Sequence, residues 1–394
     1  MPKISSTKLM VAAILGFFLY GSIASMLGTL LPYLSARDHL SPVQMGDVAL
    51  VQALGLVIAS IVTGPLIDNR GKKTGMILGL ALIVMALIGL PASTGWVMVA
   101  GSMFLLGLGG GTIVNASNTL VSDLSEEKRA SFFSLAHVFF GAGGLFTPLV
   151  AANLLGGNGI KLSILVASVA VVVTLIMFFI AMPPPTRERA FGFSAALDLK
   201  GKPLLVLLSF FVFLYVSCEV GFWNWLPKYM MSEGISQKSA LNILALGFAS
   251  GMLVGRVIAV KVLAKVRAST AALVCAVLMV GVMFWALRSP SPMMAWVSVF
   301  ASGVVMGPVF PSSMAMTGDA FPVMTATCLG IVSTAGWAGT AVSSYVVGAI
   351  AGQDVNRLHT ALLIFPAAAV MMVILGSVLQ PMLSKPGLAA TASA

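Results

Sequence analysis

Charged residues are scarce in this chain of 394 residues, and their scarcity excludes an ordinary soluble domain. Asp, Glu, Lys and Arg make up 9% of the sequence, whereas 59% is hydrophobic and the mean hydropathy is +1.03. Soluble domains carry about 25% charged residues. Metal-binding side chains are also rare, since the chain has three histidines and three cysteines with no spacing typical of a ligand set. We therefore expect no disulfide framework, no metal site and no organic cofactor.

Long apolar runs take the place of charge along almost the whole chain. A bilayer core of about 30 Å requires about 20 apolar residues in a helix. The runs are continuous rather than alternating, which favours helices over barrel strands. The sequence therefore predicts an all-α membrane protein with twelve transmembrane helices. The predicted spans are 8–33, 45–67, 75–95, 97–122, 130–155, 159–182, 203–231, 238–262, 267–288, 293–318, 325–352 and 358–382.

The distribution of Lys and Arg predicts how the chain is oriented in the membrane. The net charge is +10. If both termini are cytoplasmic, sixteen of the 22 basic residues fall on the cytoplasmic side and six on the other side, which is the expected positive-inside bias. The basic charge thus indicates topology and contact with anionic lipid, and not a nucleic acid partner. We expect a multi-pass protein of the plasma membrane, most simply the bacterial inner membrane.

The sequence divides into two halves with the same layout. Residues 183–202 combine a run of three prolines with several charges, and they predict a cytoplasmic linker between six-helix bundles at 1–182 and 203–394. Several features recur at an offset of 195 positions, which indicates a duplicated six-helix unit. These are Phe-Leu-Tyr at 18–20 and 213–215, Ser41 and Ser236, Gly141 and Gly336, and Gly144 and Gly339.

A charged turn between the second and third spans has the pattern of a gating motif. It runs from Gly64 through Asp68, Arg70 and Gly71 to two lysines. Glycine lets two helices approach closely, and the aspartate can accept from a helix N-terminus or pair with a basic residue when the cytoplasmic side is closed. A reduced counterpart in the second half is Gly255-Arg256. The alternative is a solvated basic turn without a gating role.

This turn resembles the signature loop of the major facilitator superfamily, roughly G-x-x-x-D-x-x-G-[RK]-[RK]. The chain is similar in particular to the fucose–proton symporter-like sugar transporters and to the branch with sodium-dependent glucose transporters. The similar segments are 17–21, 136–143, 251–256 and 307–311. The resemblance implies two pseudo-symmetric six-helix bundles of the major facilitator fold, and alternating access to a sugar with a proton or sodium ion.

Two positions depart from the fucose-type pattern. That family has an aspartate in the first helix where this chain has Gly28, and a glutamate in the fourth where it has Val114. The family's pair of proton-handling acids is therefore missing, and coupling must use another group or be absent.

Glu219 is the strongest candidate for that group. An acid near the middle of a spanning helix costs roughly 2.5–3.5 kcal/mol on insertion scales, so it usually marks a proton, ion or substrate path. The helical period places Tyr215, Phe222 and Trp223 on its face. One acid beside three rings suits a sugar, because the hydroxyls can bind the acid and the CH face can pack on an indole. The alternative is a structural glutamate held by another helix.

Four further residues are predicted to contact the substrate. Asn115 and Asn118 lie three positions apart in the fourth span, where their amides could bind hydroxyls or hold helices together. His137 is the one histidine within a predicted span, so it could donate to the substrate, share a proton with Glu219 or be an interior hydrogen-bonding group. Trp337, between two glycines of the eleventh span, could form a cavity wall.

These features together predict a secondary transporter of a small polar solute, with a monosaccharide as the leading substrate and a proton or Na⁺ as coupling ion. We expect a monomer with no enzymatic activity, since no P-loop and no convincing nucleophile–base set occurs. One alternative is a proton-driven exporter of drugs or metabolites, which needs the same architecture. A second is a membrane receptor or membrane-embedded enzyme, which the lack of a soluble output domain disfavours.

Overall fold

The computed structural model describes residues 6–122, 129–182, 203–263, 265–289, 291–321 and 325–384. These residues are almost entirely helical and include no strand. The chain forms two compact units, Met1–Ala190 and Phe191–Ala394. The all-helical prediction is thus confirmed. The predicted linker at 183–202 lies outside the described residues, and the predicted domain boundaries stay a prediction.

The first unit contains seven described helices. Pro32 lies inside the second of them, and a break at Ser25 separates the first two, which together form one apolar stretch, Thr7–Asp38. The helices are α1 Ser6–Ala24, α2 Met26–Asp38, α3 Pro42–Arg70, α4 Lys72–Gly89, α5 Gly95–Ser122, α6 Arg129–Asn153 and α7 Gly159–Phe179.

The second unit repeats this sequence of long helices with more interruptions. A π-helical segment, Ile243–Ala249, separates α9 from α10, and Gly307 with Pro308 separates α12 from α13. The helices are α8 Pro203–Ser232, α9 Gln237–Asn242, α10 Ser250–Leu263, α11 Ala268–Leu287, α12 Pro292–Met306, α13 Val309–Ala320, α14 Thr325–Ala351, α15 Leu358–Leu362 and α16 Ile364–Ser384.

The helices account for the predicted membrane spans. Within the described ranges, eleven stretches are long and apolar enough to cross a bilayer, and they coincide with eleven of the twelve predicted spans. At the remaining position, 325–352, the structure forms the 27-residue helix α14, Thr325–Ala351. The predicted all-α membrane fold is therefore confirmed.

Close helix contacts show the internal duplication at atomic level. Gly107 on α5 lies against the carbonyl oxygen of Gln52 on α3 with no room for a Cβ atom. Gly303 on α12 lies in the same way against the carbonyl of Phe248. Gly303 follows Gly107 by 196 positions, and Phe248 follows Gln52 by the same number. The contacts of Gly55 and Gly111 on this interface recur at Gly251 and Gly307 with the same offset, so both units use one packing scheme.

A glycine contact with the first helix of each unit also recurs. It shifts the alignment of the two halves by one residue relative to the sequence offset. Gly143 on α6 lies against the carbonyl of Phe18, and Gly339 on α14 lies against the carbonyl of Phe213. The helix pairs α1–α6 and α8–α14 therefore correspond. The residue of the first unit that is equivalent to Gly339 is Gly143, and not Gly144 as the offset of 195 predicts.

Candidate functional site

Glu219 lies near the midpoint of α8, the 30-residue helix Pro203–Ser232. The apolar residues before and after it make this helix long enough to span a bilayer. Its side chain is 16% exposed, so the carboxylate is neither fully solvated nor sealed in the core. The helix brings an acid to the depth at which an uncompensated charge is most costly.

Arg256 on α10 is the partner of Glu219. Its Nη2 atom donates to Oε1 of Glu219 at 3.4 Å, and the arginine side chain is 25% exposed. By its sequence pattern, Arg256 belongs to a reduced gating motif, and this pattern does not connect it with Glu219. A signal for the pair was present, because Arg256 falls inside the predicted eighth span, and an intramembrane cation usually has an anionic partner.

The position of Arg256 follows from the packing of α10 on α12. Gly255, the preceding residue, lies against the carbonyl oxygen of Val304 with no space for a side chain. Gly251 makes the equivalent contact one turn earlier with Phe300. Because both glycines hold α10 tightly on α12, the arginine leaves the helix from a backbone that close packing fixes in place.

Tyr215 lies one turn before Glu219 and is fully buried. Its hydroxyl donates to the carbonyl oxygen of Met306 at 3.0 Å, and its side chain also interacts with the Glu219 carboxylate. Met306 is the last residue of α12, and carbonyls at helix ends need partners from outside the helix. Tyr215 therefore connects the acid with the interruption at Gly307-Pro308.

The four residues predicted on one face of α8 have two different environments. Tyr215 and Phe222 are fully buried, and Phe222 packs against Phe248 and Phe365 at ring distances of 5.6 and 6.4 Å. Glu219 and Trp223 are partly exposed. Only these two could meet a ligand directly in this state, whereas the other two support them from the core.

Trp223 carries a buried polar atom that has no hydrogen-bond partner in the described ranges. Its ring meets the ring of Phe248 nearly edge-on, at 5.4 Å and 72°. Its indole Nε1 is buried and makes no hydrogen bond within the described part of the chain. Since buried donors are almost always satisfied, this N–H is available to an acceptor from water or from a ligand.

The helix that carries Trp337 packs closely on α8. Gly339 lies against α8, and the hydroxyl of Ser217 is within hydrogen-bonding distance of the Phe213 carbonyl at 2.7 Å and the Gly339 carbonyl at 3.1 Å. Trp337 is half-buried between Gly336 and Gly339. The glycines therefore fix the distance between α14 and the helix of Glu219.

The predicted substrate residues of the first unit differ in their burial and in the contacts of their side chains. Asn115 donates from its amide to the hydroxyl of Thr63 at 2.9 Å, which connects α5 with α3. Asn118, one turn further, is half-buried. His137 on α6 is exposed, and its ring lies 5.3 Å from that of Phe17 and 6.4 Å from that of Phe140.

The predicted gating turn is described only in part. Beyond their helical backbone, Gly64 and Asp68 lie outside the described part of the chain. Arg70 is exposed at the end of α3, and Gly71 adopts φ 87° and donates its N–H to the carbonyl of Ile67. The positive φ favours glycine at this helix end. The turn therefore has a defined backbone, while the contacts of its aspartate stay a prediction.

A lysine attaches this turn to the end of α7. Lys73 donates from Nζ to the carbonyl oxygens of Phe178 at 2.8 Å and Ile180 at 3.2 Å. Basic side chains near a helix C-terminus satisfy its last carbonyls.

No group of three or more His, Cys, Asp or Glu that could hold a metal ion occurs in the ranges that the structure describes.

Two curated relatives match most of this chain at low identity. Bypass of stop codon protein 6 from Saccharomyces cerevisiae is 25% identical over 382 residues, which cover 86% of this chain and 76% of the yeast protein. A TsgA homolog from Citrobacter koseri is 23% identical over 383 residues, covering 94% and 95% of the two chains.

Several solved structures share the fold. A mutant of the nucleoside transporter NupG has a TM-score of 0.79 at 14% identity, covering 95% of this chain and 99% of NupG. A D-xylose–proton symporter has 0.78 at 16% identity, covering 94% and 97%. The major facilitator transporter FucP, in its outward conformation, has 0.66 at 17% identity, covering 96% and 99%.

The family model described as Major Facilitator Superfamily matches residues 13–344. The resemblance stated from the signature turn and the helix motifs is therefore confirmed. The prediction that the chain is a transporter and not an enzyme is confirmed with it. This multi-pass membrane protein is a secondary transporter of small-molecule substrates, and it belongs to the major facilitator superfamily.

Proposed function

We propose that this transporter moves a monosaccharide or a closely similar polar solute by alternating access, and that it couples this movement to a proton or a sodium ion at Glu219. The observation that carries the proposal is the partly exposed carboxylate of Glu219 near the midpoint of α8, paired with Arg256. An acid at this depth is costly, and such acids commonly serve ion or proton paths.

The loose geometry of the ion pair supports a coupling role. Charge-assisted N–H···O bonds are typically about 2.7–2.9 Å long, whereas Arg256 and Glu219 are 3.4 Å apart. A proton or Na⁺ at Glu219 would neutralise the acid and weaken its hold on Arg256. The bound ion would thereby change the contacts between α8 and α10, which is the kind of differential interaction that shifts a conformational equilibrium.

The solute class is supported by the chemistry of the site and by solved structures that share the fold. Glu219 offers an acceptor for hydroxyl groups, and Trp223 offers an indole face and a free N–H donor. The structures that share the fold include a nucleoside transporter and a D-xylose–proton symporter. Both solutes carry several hydroxyl groups, as the proposed substrate does.

Uptake into proteoliposomes tests the proposal. The purified protein is reconstituted and given radiolabelled monosaccharides under a pH gradient alone and under a Na⁺ gradient alone. We expect saturable accumulation under one of the two gradients, and its loss in Glu219→Gln with exchange retained. Glu233→Gln is the matched control, because Glu233 is exposed just beyond α8. Undiminished accumulation by Glu219→Gln would contradict the coupling assignment.

The same vesicles distinguish an exporter. Extrusion of hydrophobic cations driven by a pH gradient, without sugar uptake, would favour the proton-driven export of drugs or metabolites. Flux that is absent under every gradient would contradict transport of these solutes altogether.

We further infer a monomer in the bacterial inner membrane, in contact with anionic lipid, with both termini in the cytoplasm. Arg256 lies within a membrane span and not in a loop, so we no longer count it among the cytoplasmic basic residues. The remaining basic residues then divide into fifteen on the cytoplasmic side and six on the external side. The bias persists. Reporter fusions active only in the cytoplasm, placed at each terminus, test the orientation.

A further inference from the structure

We propose that Arg256 receives a carboxylate of the transported solute, so that the solute is a small hydroxylated organic acid of the sugar-acid class. This inference rests on the proposed function and narrows its substrate. Three features carry it: the unused donors of Arg256, the free indole N–H of Trp223, and the competition that Glu219 sets up.

Arg256 has more donor capacity than the protein uses. A guanidinium has five N–H donors in a planar fork that fits a carboxylate through two parallel bonds. Within the described residues, the hydrogen bond of this guanidinium is a single one, from Nη2 to Glu219 at 3.4 Å. With 25% of the side chain exposed, the remaining donors are open to an approaching anion.

Trp223 adds a second donor on the face of α8 that carries Glu219. It follows Glu219 by four positions on α8, so the two side chains lie on one face of the helix. Its buried Nε1–H has no hydrogen-bond partner among the residues that the structure describes. An indole N–H can only donate, and it therefore selects an acceptor such as a hydroxyl or carboxylate oxygen of the solute.

A neutral sugar has no negative charge to pair with the guanidinium of Arg256. It cannot replace the negative charge that Glu219 presents to Arg256, so it would have to bind beside an intact ion pair. A carboxylate can take the place of Glu219 and form the two-bond geometry that the 3.4 Å contact lacks. The site therefore favours an anion that also carries hydroxyl groups.

The exchange has a defined charge balance. When the solute carboxylate binds Arg256, Glu219 loses its counter-charge in apolar surroundings, which is costly. A proton taken from the aqueous phase onto a Glu219 oxygen removes that cost. One proton then accompanies one monovalent anion, and the transported unit carries no net charge.

The groups that face Glu219 are consistent with this exchange. Among the described groups, Arg256 from α10 and Tyr215 from α8 itself interact electrostatically with Glu219. Cys275 from α11 interacts electrostatically with Tyr215. The elements packed against α8 carry further charged or titratable residues that do not act on Glu219. These are Lys238, Asp319, Cys328, Tyr345, Arg357 and His359.

Binding to the purified full-length protein tests the inference with one matched ligand pair. D-Glucuronate and D-glucose share a ring and differ at C6, where one has a carboxylate and the other a hydroxymethyl group. D-Gluconate and D-galacturonate extend the acidic side, with sorbitol and D-galactose as neutral counterparts. We expect titration calorimetry to give at least tenfold tighter binding for one or more acids than for the matched neutral compound.

Variants separate a ligand role from a structural one. Arg256→Gln should weaken binding of the acid at least tenfold, while Arg288→Gln, at an exposed helix end, should leave it unchanged. Glu219→Gln should strengthen it several-fold, because the competitor for Arg256 is gone. The double variant Glu219→Gln/Arg256→Gln contains no lone buried charge, so it should fold and still fail to bind the acid. Retained binding by that folded variant overturns the inference.

Transport distinguishes this inference from the proposed function. We expect uptake of the acid to follow the pH gradient and not to respond to a membrane potential set by K⁺ and valinomycin. Potential-driven uptake, or equal binding of acids and neutral sugars, overturns the inference. If neutral monosaccharides alone accumulate in a Glu219-dependent manner, the inference fails and the proposed function stands. If no sugar or sugar acid accumulates, both fail.

Discussion

The guanidinium of Arg256 and the carboxylate of Glu219 lie 3.4 Å apart between α10 and α8, with 25% and 16% of their side chains exposed. The two residues are 37 positions apart in the sequence. Their pairing places both members of an ion pair within membrane-spanning stretches of one unit. Because each charge offsets the cost of the other, their energetic effects should be strongly coupled.

A double-mutant cycle measures that coupling. Arg256→Gln should destabilise the protein by about 2 kcal/mol, less than the 3–5 kcal/mol for a fully buried pair because both groups are partly exposed. The double variant with Glu219→Gln should recover at least half of that loss. The measurement is reversible unfolding in mixed micelles. Additive effects of the two substitutions would show that the ion pair contributes nothing to stability.

Tyr215→Phe tests whether Tyr215 contributes to transport in addition to its contribution to the stability of the fold. It removes the bond to the Met306 carbonyl and the contact with Glu219, and a lost buried hydrogen bond costs about 1–2 kcal/mol. Tyr229→Phe is the matched control, because the Tyr229 hydroxyl donates to the Leu287 carbonyl at 2.6 Å in the same unit.

We expect similar losses of stability from both tyrosine variants but reduced gradient-driven uptake only from Tyr215→Phe. Unfolding in micelles and proteoliposome uptake are the two measurements. Equal loss of uptake in both variants would mean that Tyr215 acts through the fold alone.

The duplicated glycine contacts predict which glycines are required for packing. Gly107→Ala and Gly303→Ala each place a Cβ on a neighbouring carbonyl, and the helices must separate. We expect each to cost about 2–3 kcal/mol, as overpacking does. At Gly101 and Gly281, a Cβ meets no described residue within 4 Å, so alanine there should stabilise by about 0.5–1 kcal/mol through helix propensity.

Thermal melting of the four glycine variants in detergent checks this prediction. The two packing variants should melt below the parent protein and the two controls at or above it. A melting temperature for Gly303→Ala that equals that of Gly281→Ala would contradict the close approach of α10 and α12.

Much of the fold could be predicted from the sequence, because lipid imposes length and continuity on every span. Local signals were also reliable: Ser41 and Ser236, matched by their offset, each cap the helix that follows. The alignment of Gly144 with Gly339 failed by one position. A count along the sequence cannot detect a one-residue shift between helices, whereas the backbone contacts of Gly143 reveal it.

The candidate site was less predictable, for a physical reason. Helical period places Tyr215, Glu219, Phe222 and Trp223 on one face, but it does not say which neighbouring helix covers part of that face. Phe248 and Phe365 come from distant segments and bury Phe222 completely. The partner of Glu219 likewise depends on how α10 packs, which periodicity within one helix does not contain.

Asn115 and Asn118, one turn apart on α5, provide a final matched pair of variants. Asn115 donates to Thr63 across the α3–α5 contact, so Asn115→Ala should destabilise the protein by about 1 kcal/mol. The double variant with Thr63→Val should lose little more than Asn115→Ala alone. The bond between the two side chains is already gone, and the second substitution removes only the bond of the Thr63 hydroxyl to the Ala59 carbonyl within α3. Asn118→Ala should leave stability within about 0.5 kcal/mol of the parent.

Substrate affinity should show the opposite order for the two asparagines. If the half-buried amide of Asn118 contacts the solute, Asn118→Ala raises the dissociation constant about tenfold, whereas Asn115→Ala changes it less than twofold. Binding calorimetry on both variants with the transported solute gives the answer. A larger loss of affinity in Asn115→Ala would mean that its amide leaves Thr63 for the solute during transport, and the bond between α3 and α5 would then belong to one state of the cycle.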